Sequence, residues 1–149
     1  MKIDEKDMRI LGLLKENSAL STSRIAKSTR MPITTVHNRI EKLKREGVIR
    51  RFTVEVDYGK IGKPLAAYIL LTANQNLSSG KKTTQQEIGR KIKAHEEVES
   101  VDVVTGTTDM IIKLRVASMG DLNRLLTTEF RKIDGVDKTQ TLMVLEEIV

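Results

Sequence analysis

The order of apolar and polar residues predicts three short helices within the first fifty residues. Asp4, Ser21 and Pro32 mark where these helices begin, because Asp and Ser cap helix N-termini and proline is tolerated in a first helical turn. Gly47 ends the third helix. The apolar residues of that helix return at helical spacing, at Val36, Ile40 and Leu43.

From Pro64 onward the pattern alternates strands with helices. After a first strand comes a helix that carries Ile88 and Ile92. Two strands that meet in a turn at Gly106 follow, and a helix capped by Ser118 precedes a last strand, TQTLMVLEEI. The order βαββαβ is the split βαβ arrangement of a ferredoxin-like domain.

The predicted fold class is therefore α+β in two domains. A winged-type helix-turn-helix domain is expected over residues 1–50, and the ferredoxin-like domain over residues 64–149. Residues 51–63, whose β-rich part ends near Asp57, are predicted to form a β linker or hinge.

The first predicted strand is apolar on both sides. Its alternating sets are Leu65, Ala67, Ile69 and Leu71 on one side and Ala66, Tyr68 and Leu70 on the other. Helices of this topology cover one face of the sheet, so the second face needs another cover. A partner subunit is the favoured cover. The N-terminal domain folded over the same face is the alternative.

Positive charge is concentrated in the N-terminal part of the chain. Residues 1–63 hold fifteen Lys and Arg against eight Asp and Glu, whereas residues 64–149 hold eleven against twelve. Lys and Arg neutralise phosphates and release condensed counterions. A basic module beside a neutral one therefore indicates a polyanion binder joined to a second functional unit. An ordinary solvated surface is the alternative that charge alone leaves open.

The composition disfavours several kinds of site and location. The absence of cysteine rules out disulfides and thiolate metal ligands. The N-terminal MKIDEKDMRI is charged, and no apolar run approaches the roughly 18 residues that span a bilayer, so we expect a cytoplasmic protein with no membrane contact. His37 is predicted to be exposed or to face a phosphate and not to bind a metal, and His95, at the end of a helix, is predicted to have no chemical role. Neither a metal nor a cofactor is expected.

Two residues of the N-terminal part have the spacing of a helix-turn-helix. Ala26 in the second helix and Val36 ten positions later allow two helices to pack closely around a turn. At 100° per residue, Ile40 and Leu43 stay within about 40° of the direction of Val36. The opposite side of the third helix is polar and basic.

This outward side is predicted to bind double-stranded DNA. Side chains in the N-terminal half of a recognition helix reach base edges in the major groove, while later Arg and Lys residues suit phosphates. The candidates for base contact are Thr34, Thr35, Asn38 and, for a guanine or a phosphate, Arg39. The candidates for contact with the DNA backbone are Ser23, Arg24, His37, Lys42, Arg45, Arg50 and Arg51.

With both halves in view, the chain resembles the Lrp/AsnC (leucine-responsive, feast/famine) regulators over essentially its whole length. The segments that carry the resemblance are IDEKDMRILGLLKENS, SRIAKSTRMPITTVHNRIEKLKREGVI, RRFTVEVD, VVTGTTDMIIKLRV and LMVLEEI. The resemblance implies an N-terminal DNA-binding domain and a C-terminal RAM-type domain that forms homodimers, which assemble to tetramers or octamers. It also implies an amino-acid effector bound between dimers, near the strand-turn-strand loop.

By position, the resemblance assigns candidate effector contacts to that loop and to the last strand. They are Thr105, Gly106, Thr107, Thr108, Asp109, Thr139 and Thr141. A glycine turn exposes backbone N–H groups that can hold a carboxylate, and Asp109 can pair with an α-ammonium. A plain hairpin with a capping Asp is the alternative.

Three positions depart from the family pattern. The loop reads GTTD where an aromatic residue usually precedes the Asp, which bears on the identity of an effector. Arg30 stands in the helix-turn-helix corner where glycine is usual, and a left-handed conformation costs Arg roughly 1 kcal/mol relative to Gly. Met31 replaces the usual Ser cap, so the third helix lacks a stabilising cap.

Two other functions compete with a sequence-reading regulator. Some proteins that resemble the family carry out tetrapyrrole chemistry, but the chain has no metal-spaced cluster, Walker-type motif or G-x-S-x-G motif, so no enzyme is expected. The other is a packager that coats DNA without sequence preference, against which the polar residues Thr34 and Asn38 argue.

Overall fold

The computed structural model describes residues 2–148. The chain divides between Val56 and Asp57 into two compact units, which we name the N-terminal unit and the C-terminal unit. The division falls inside the predicted linker, residues 51–63.

Three helices build the N-terminal unit: α1 (Glu5–Glu16), α2 (Thr22–Thr29) and α3 (Ile33–Arg45). Their common core consists of Ile10, Leu14, Ile25, Ala26 and Val36. Burial contributes about 1.5–3 kcal/mol for each fully buried Ile, Leu or Val. This packing stabilises helices that are too short to be stable in isolation.

Side-chain caps define where α1 and α2 begin. The Asp4 carboxylate accepts the Asp7 N–H at 2.9 Å and the Asp7 carboxylate accepts the Asp4 N–H at 3.1 Å, which is a reciprocal capping box. The Ser21 hydroxyl accepts the Arg24 N–H at 3.3 Å. Both predicted caps are confirmed. Pro32, predicted in the first turn of α3, instead precedes the helix as its N-cap and provides no side-chain cap bond.

The C-terminal unit confirms the predicted order βαββαβ. Its elements are β1 (Leu65–Ala73), α4 (Gln85–Lys93), β2 (Val98–Val103), β3 (Met110–Val116), α5 (Met119–Arg124) and β4 (Val136–Met143). The strands form one antiparallel sheet in the order β2-β3-β1-β4. The first strand is therefore flanked by the third and the last, as in ferredoxin-like domains.

One face of the sheet packs against α4 and against the chain that extends α5. This extension is a π-helical turn (Leu125–Glu129) followed by a 3₁₀ turn (Phe130–Lys132). Leu125 and Phe130 are five positions apart and both fully buried. An α-helix would place them about 140° apart, whereas the i to i+5 bond of a π turn aligns them on the core side.

Two parts of the strand prediction are wrong. Residues 51–63 contain no strand, because β-forming side chains need a neighbouring strand to complete a ladder, and residues 2–148 provide none for this stretch. Residues 58–62 form turns instead, with the Lys63 N–H bonded to the Tyr58 carbonyl at 2.9 Å. The last strand ends at Met143, so the segment VLEEI, predicted as strand, lies outside the sheet.

Gly135 is predicted to be intolerant of any side chain. Its φ is +97°, and a Cβ would lie 2.6 Å from Ile88 Cδ1 and 2.8 Å from Thr83 Cγ2. Gly135→Ala should lower the free energy of unfolding by about 2–4 kcal/mol, because backbone strain and overpacking add. Gly80→Ala is the matched control, with φ +78° and nothing within 4 Å of its Cβ, and should cost about 1 kcal/mol. Urea unfolding measures both, and equal losses would contradict this account.

Candidate nucleic-acid interface and effector loop

The corner between α2 and α3 is a left-handed turn at Arg30. Its φ is 55° and its ψ is 37°, and no other non-glycine residue has a positive φ within residues 2–148. The Met31 N–H bonds the Ala26 carbonyl at 3.1 Å and closes the end of α2. Arg30 therefore adopts the conformation that the sequence predicts to be strained.

One side of α3 is apolar, and the opposite side is exposed to solvent. Val36 and Leu43 are fully buried, and Ile40 is half-buried. The exposed side chains of the opposite side are Thr34, Asn38, Glu41, Lys42 and Arg45. A helix with this division can enter a major groove, which is about 12 Å wide, without disturbing its own core.

Ion pairs modify the charge on this outward side. Lys44 bonds Glu41 at 2.9 Å, and this hydrogen bond lowers the pKa of Glu41. Arg45 lies 4.0 Å from Glu46. Lys42 pairs with no carboxylate in the part of the chain that the structure describes. Lys42 is therefore available to a phosphate.

Arg39 is held by two carboxylates at the N-terminus of α1, the N-cap Asp4 and Asp7. Its Nη1 lies 2.8 Å from Asp4 Oδ2 and 2.7 Å from Asp7 Oδ1. The hydrogen bonds to Asp7 and then to Asp4 raise the pKa of Arg39. The Asp7 N–H and then the Arg39 guanidinium lower the pKa of Asp4. The sequence places Arg39 on a flank of α3 but contains no sign of these distant partners.

The other predicted DNA contacts lie at the surface of the N-terminal unit. Exposed side chains are those of Ser23, Arg24, His37, Arg50 and Arg51, while Thr35 is half-buried. Each of these side chains is therefore accessible to a nucleic acid that binds at α3.

The loop between β2 and β3 is closed at its base and open at its tip. The Val104 N–H donates to the Asp109 carbonyl at 2.9 Å, and Gly106 has φ +114°. Thr105, Gly106 and Thr107 are exposed, and Thr108 is half-buried. Within residues 2–148, the N–H groups of residues 105–108 have no acceptor. Such a row of N–H groups can bind an anion.

Asp109 connects this loop to two other elements. Its Oδ2 accepts the Ala73 N–H at 2.8 Å, and its Oδ1 accepts Nε2 of Gln85 at 2.7 Å. Each carboxylate oxygen can accept a second bond, so a ligand ammonium still has acceptors there. Gln85 has no signal in the sequence as a partner of Asp109, because no short motif relates two residues that are 24 positions apart.

Thr139 and Thr141 are exposed on β4. Leu71 of β1 pairs with Met110 on one side and with Thr139 on the other. Two strand spacings, about 10 Å, therefore separate Thr139 from the start of β3. Thr141 lies about 7 Å further along the strand.

The sheet face opposite the helices combines apolar and charged groups. Tyr68 is 38% exposed and Leu142 is 45% exposed. Arg115 on the same face forms ion pairs with Glu99 and Glu147. Burial lowers the pKa of Arg115, but the hydrogen bonds to Glu147 and Glu99 outweigh it and raise that pKa. The charges of this face are thus satisfied, while its apolar side chains remain partly open.

Some kinds of site are not found in residues 2–148. No group of three or more His, Asp or Glu residues has the arrangement of a metal site there. No helix of this part is long and apolar enough to cross a membrane.

Comparison with known families agrees with the division of the chain into a helix-turn-helix unit and an α+β unit. Residues 67–149 match the family model described as the Lrp/AsnC ligand binding domain, and residues 3–50 match that of a winged helix-turn-helix DNA-binding domain. The chain belongs to the Lrp/AsnC family. The predicted resemblance is confirmed, and the protein is a DNA-binding transcription regulator and not an enzyme.

Relatives within the family align over nearly the whole chain. An uncharacterized HTH-type transcriptional regulator of Pyrococcus furiosus is 41% identical over 146 residues, which cover 98% of this chain and 93% of that protein. The HTH-type transcriptional regulator FL11 of Pyrococcus abyssi is 33% identical over 146 residues, with 98% and 91% covered.

Solved structures of other transcription regulators share the fold. AsnC of Escherichia coli is 25% identical, with a TM-score of 0.79, and the match covers 100% of this chain and 96% of that chain. A transcriptional regulator of Neisseria meningitidis, solved as a complex with L-Met, is 20% identical with a TM-score of 0.87 and 99% and 93% covered.

The strained corner of this Lrp/AsnC protein yields a stability prediction. Arg30→Gly should raise the free energy of unfolding by up to about 1 kcal/mol, because glycine adopts the left-handed conformation without steric cost. The larger entropy of unfolded glycine offsets part of the gain. Lys27→Gly, within α2, is the control and should cost about 1 kcal/mol. Thermal and urea unfolding compare them, and destabilisation of both variants alike would refute the strain argument.

Proposed function

We propose that the protein is a sequence-specific regulator that reads duplex DNA with the outward side of α3 and responds to an amino acid bound at the C-terminal unit. One observation carries the first part: α3 buries Val36 and Leu43 completely while its opposite side stays exposed. A helix whose one side is packed in the core while the other side is exposed suits the major groove.

Each outward side chain has a role that its chemistry suits. Asn38 can bond N6 and N7 of an adenine with both ends of its amide, and Thr34 can bond a base edge or contact a thymine methyl. Lys42 and Arg45 bind phosphates, with help from Arg24, Arg50 and similar residues around α3. Phosphate contacts give affinity, and the two polar residues give sequence preference.

The proposed assembly is a homodimer that associates further to a tetramer or octamer. The open sheet face supports it, because exposed Tyr68 and Leu142 gain by contact with a second apolar surface. A two-fold dimer presents two copies of α3 to a roughly palindromic site, with half-sites about one helical turn or a multiple of it apart.

The proposed effector is an amino acid held by the loop between β2 and β3. Unpaired N–H groups of residues 105–108 suit its carboxylate, and Asp109 suits its ammonium. Thr139 and Thr141 are exposed on the strand beyond β1 and extend this surface. The L-Met bound by the regulator of Neisseria meningitidis, which shares the fold, supports an amino acid as the ligand class.

Asn38 and Lys42 are predicted to affect DNA binding in different ways. Asn38→Ala should relax the preference for one base pair of the site by roughly 1–3 kcal/mol, because a bidentate contact is lost. Lys42→Ala should weaken all duplexes alike and reduce the salt slope by about one. Selection from random duplexes and a salt series of binding measure the two effects.

Lys15→Ala is the control for this pair, since it removes an exposed positive charge that lies on α1 and not on α3. It should leave the preferred sequence unchanged. If Asn38→Ala also keeps the full preference of the unmodified protein, Asn38 does not read a base. If the unmodified protein binds DNA but enriches no sequence, the protein is a packager and the proposed function fails.

Asp109 is predicted to be needed for effector binding. Asp109→Asn should weaken the best-bound amino acid roughly tenfold or more, because the ammonium loses a charged acceptor. Asp102→Asn, an exposed carboxylate on neighbouring β2, is the control and should bind normally. Calorimetric titration with each of the twenty amino acids measures affinity. Unchanged binding by folded Asp109→Asn would remove Asp109 from the site.

A further inference from the structure

We propose that Asp7 and Arg39 are positioning residues that together fix the rotation of α3 about its own axis and thereby decide which bases its outward side reaches. The inference rests on the proposed base-reading role of α3. Nη1 of Arg39 lies 2.9 and 2.8 Å from the two Asp4 oxygens and 2.7 Å from Asp7 Oδ1.

The apolar stripe of α3 does not define this rotation by itself. Ile40 and Leu43 lie within about 40° of Val36, and apolar contacts are non-directional. Arg39 projects about 60° from Val36, on the side away from Ile40. A charge-assisted hydrogen bond at this edge of the stripe has a defined geometry and therefore resists rotation.

Asp7 is a rigid anchor for that bond. Its side chain is 4% exposed. One carboxylate oxygen accepts from Arg39, and the other accepts the Asp4 N–H at 3.1 Å in the capping box of α1. Separation of the pair would leave a buried carboxylate without its partner, which is strongly unfavourable. The first turn of α1 therefore holds the middle of α3.

A small rotation would matter for base contacts. A side-chain tip about 6 Å from the helix axis moves about 1.5 Å when the helix turns by about 15°. Binding groups need to be placed within about 0.5 Å. Asn38 would then lose its bidentate geometry, whereas contacts of long Lys side chains with phosphates would survive.

Electrostatics and positioning predict opposite effects of removing a carboxylate. Asp4 and Asp7 place negative charge beside a helix that meets phosphates, so by charge alone their neutralisation should tighten binding to all DNA. A positioning role predicts weaker binding of the preferred sequence and no loss on other sequences.

The experiment uses the chain of 149 residues with Asp7→Asn, Arg39→Gln or Arg39→Lys, and with Glu5→Gln as control. Glu5 is an exposed carboxylate in the same helical turn as Asp7. A duplex selected by the unmodified protein from random DNA and a scrambled duplex are the probes. We expect Asp7→Asn and Arg39→Gln to lose roughly tenfold or more in the ratio of selected to scrambled affinity. Glu5→Gln should keep that ratio and bind both duplexes slightly tighter.

Arg39→Lys tests the contact itself. A single nitrogen of Arg39 makes all three contacts, so a Lys ammonium should restore most of the ratio. Circular dichroism and urea unfolding report whether each variant is folded. If a single variant does not fold, the double variant Asp7→Asn with Arg39→Gln is measured in its place, because it leaves no buried charge. The same loss in the ratio of selected to scrambled affinity is expected.

Different outcomes overturn different claims. Folded Asp7→Asn that keeps the ratio and binds both duplexes tighter, as Glu5→Gln does, overturns the positioning role. Losses that add in the double variant would do the same, because they assign Arg39 an independent contact with DNA. An unmodified protein without any preferred duplex instead overturns the proposed function.

Discussion

The left-handed turn at Arg30 is the constraint on which the N-terminal unit depends. The turn reverses the chain between α2 and α3, so that Val36 enters the core formed with Ile10 and Ile25. An ordinary right-handed residue would continue α2 and carry the stripe of α3 away from that core. The strain of roughly 1 kcal/mol is less than the free energy of apolar burial that the turn makes possible. The free side of α3 is a consequence of the same turn.

Hydrogen bonds and ion pairs give the helices of the N-terminal unit a defined orientation, which apolar burial alone does not give. The carboxylates of Asp4 and Asp7 cap the N-terminus of α1 with a capping box and also hold Arg39. A regulator that reads bases needs a helix with a fixed orientation as well as a stable one. In the C-terminal unit, Asp109 has a comparable position, since it joins the β2–β3 loop to the end of β1 and to Gln85 at the start of α4. A ligand that engages Asp109 therefore acts on a junction of three elements.

Much of the fold was predictable because it follows local rules. The caps at Asp4 and Ser21 and the stripe through Val36 are properties of neighbouring residues. The tertiary partners were not predictable in this way. Asp7 and Arg39 are 32 positions apart, and periodicity shows which side of a helix is polar without showing what it meets. The β-forming residues after Arg50 had strand propensity but found no partner strand within residues 2–148. The π turn was not predicted from the sequence, although an α-helix would place Leu125 and Phe130 about 140° apart.

The most direct test of the central claim, that the outward side of α3 meets the bases, uses the absence of cysteine from the chain. Glu41→Cys places a single thiol on that side, and an attached iron chelate cleaves DNA close to it. Lys15→Cys, exposed on α1 of the same unit, is the control. With a selected duplex, we expect localised cleavage from position 41, in clusters about one helical turn or a multiple of it apart, and no such clusters from position 15. Uniform cleavage from position 41, or localised cleavage from position 15 alone, would contradict the claim.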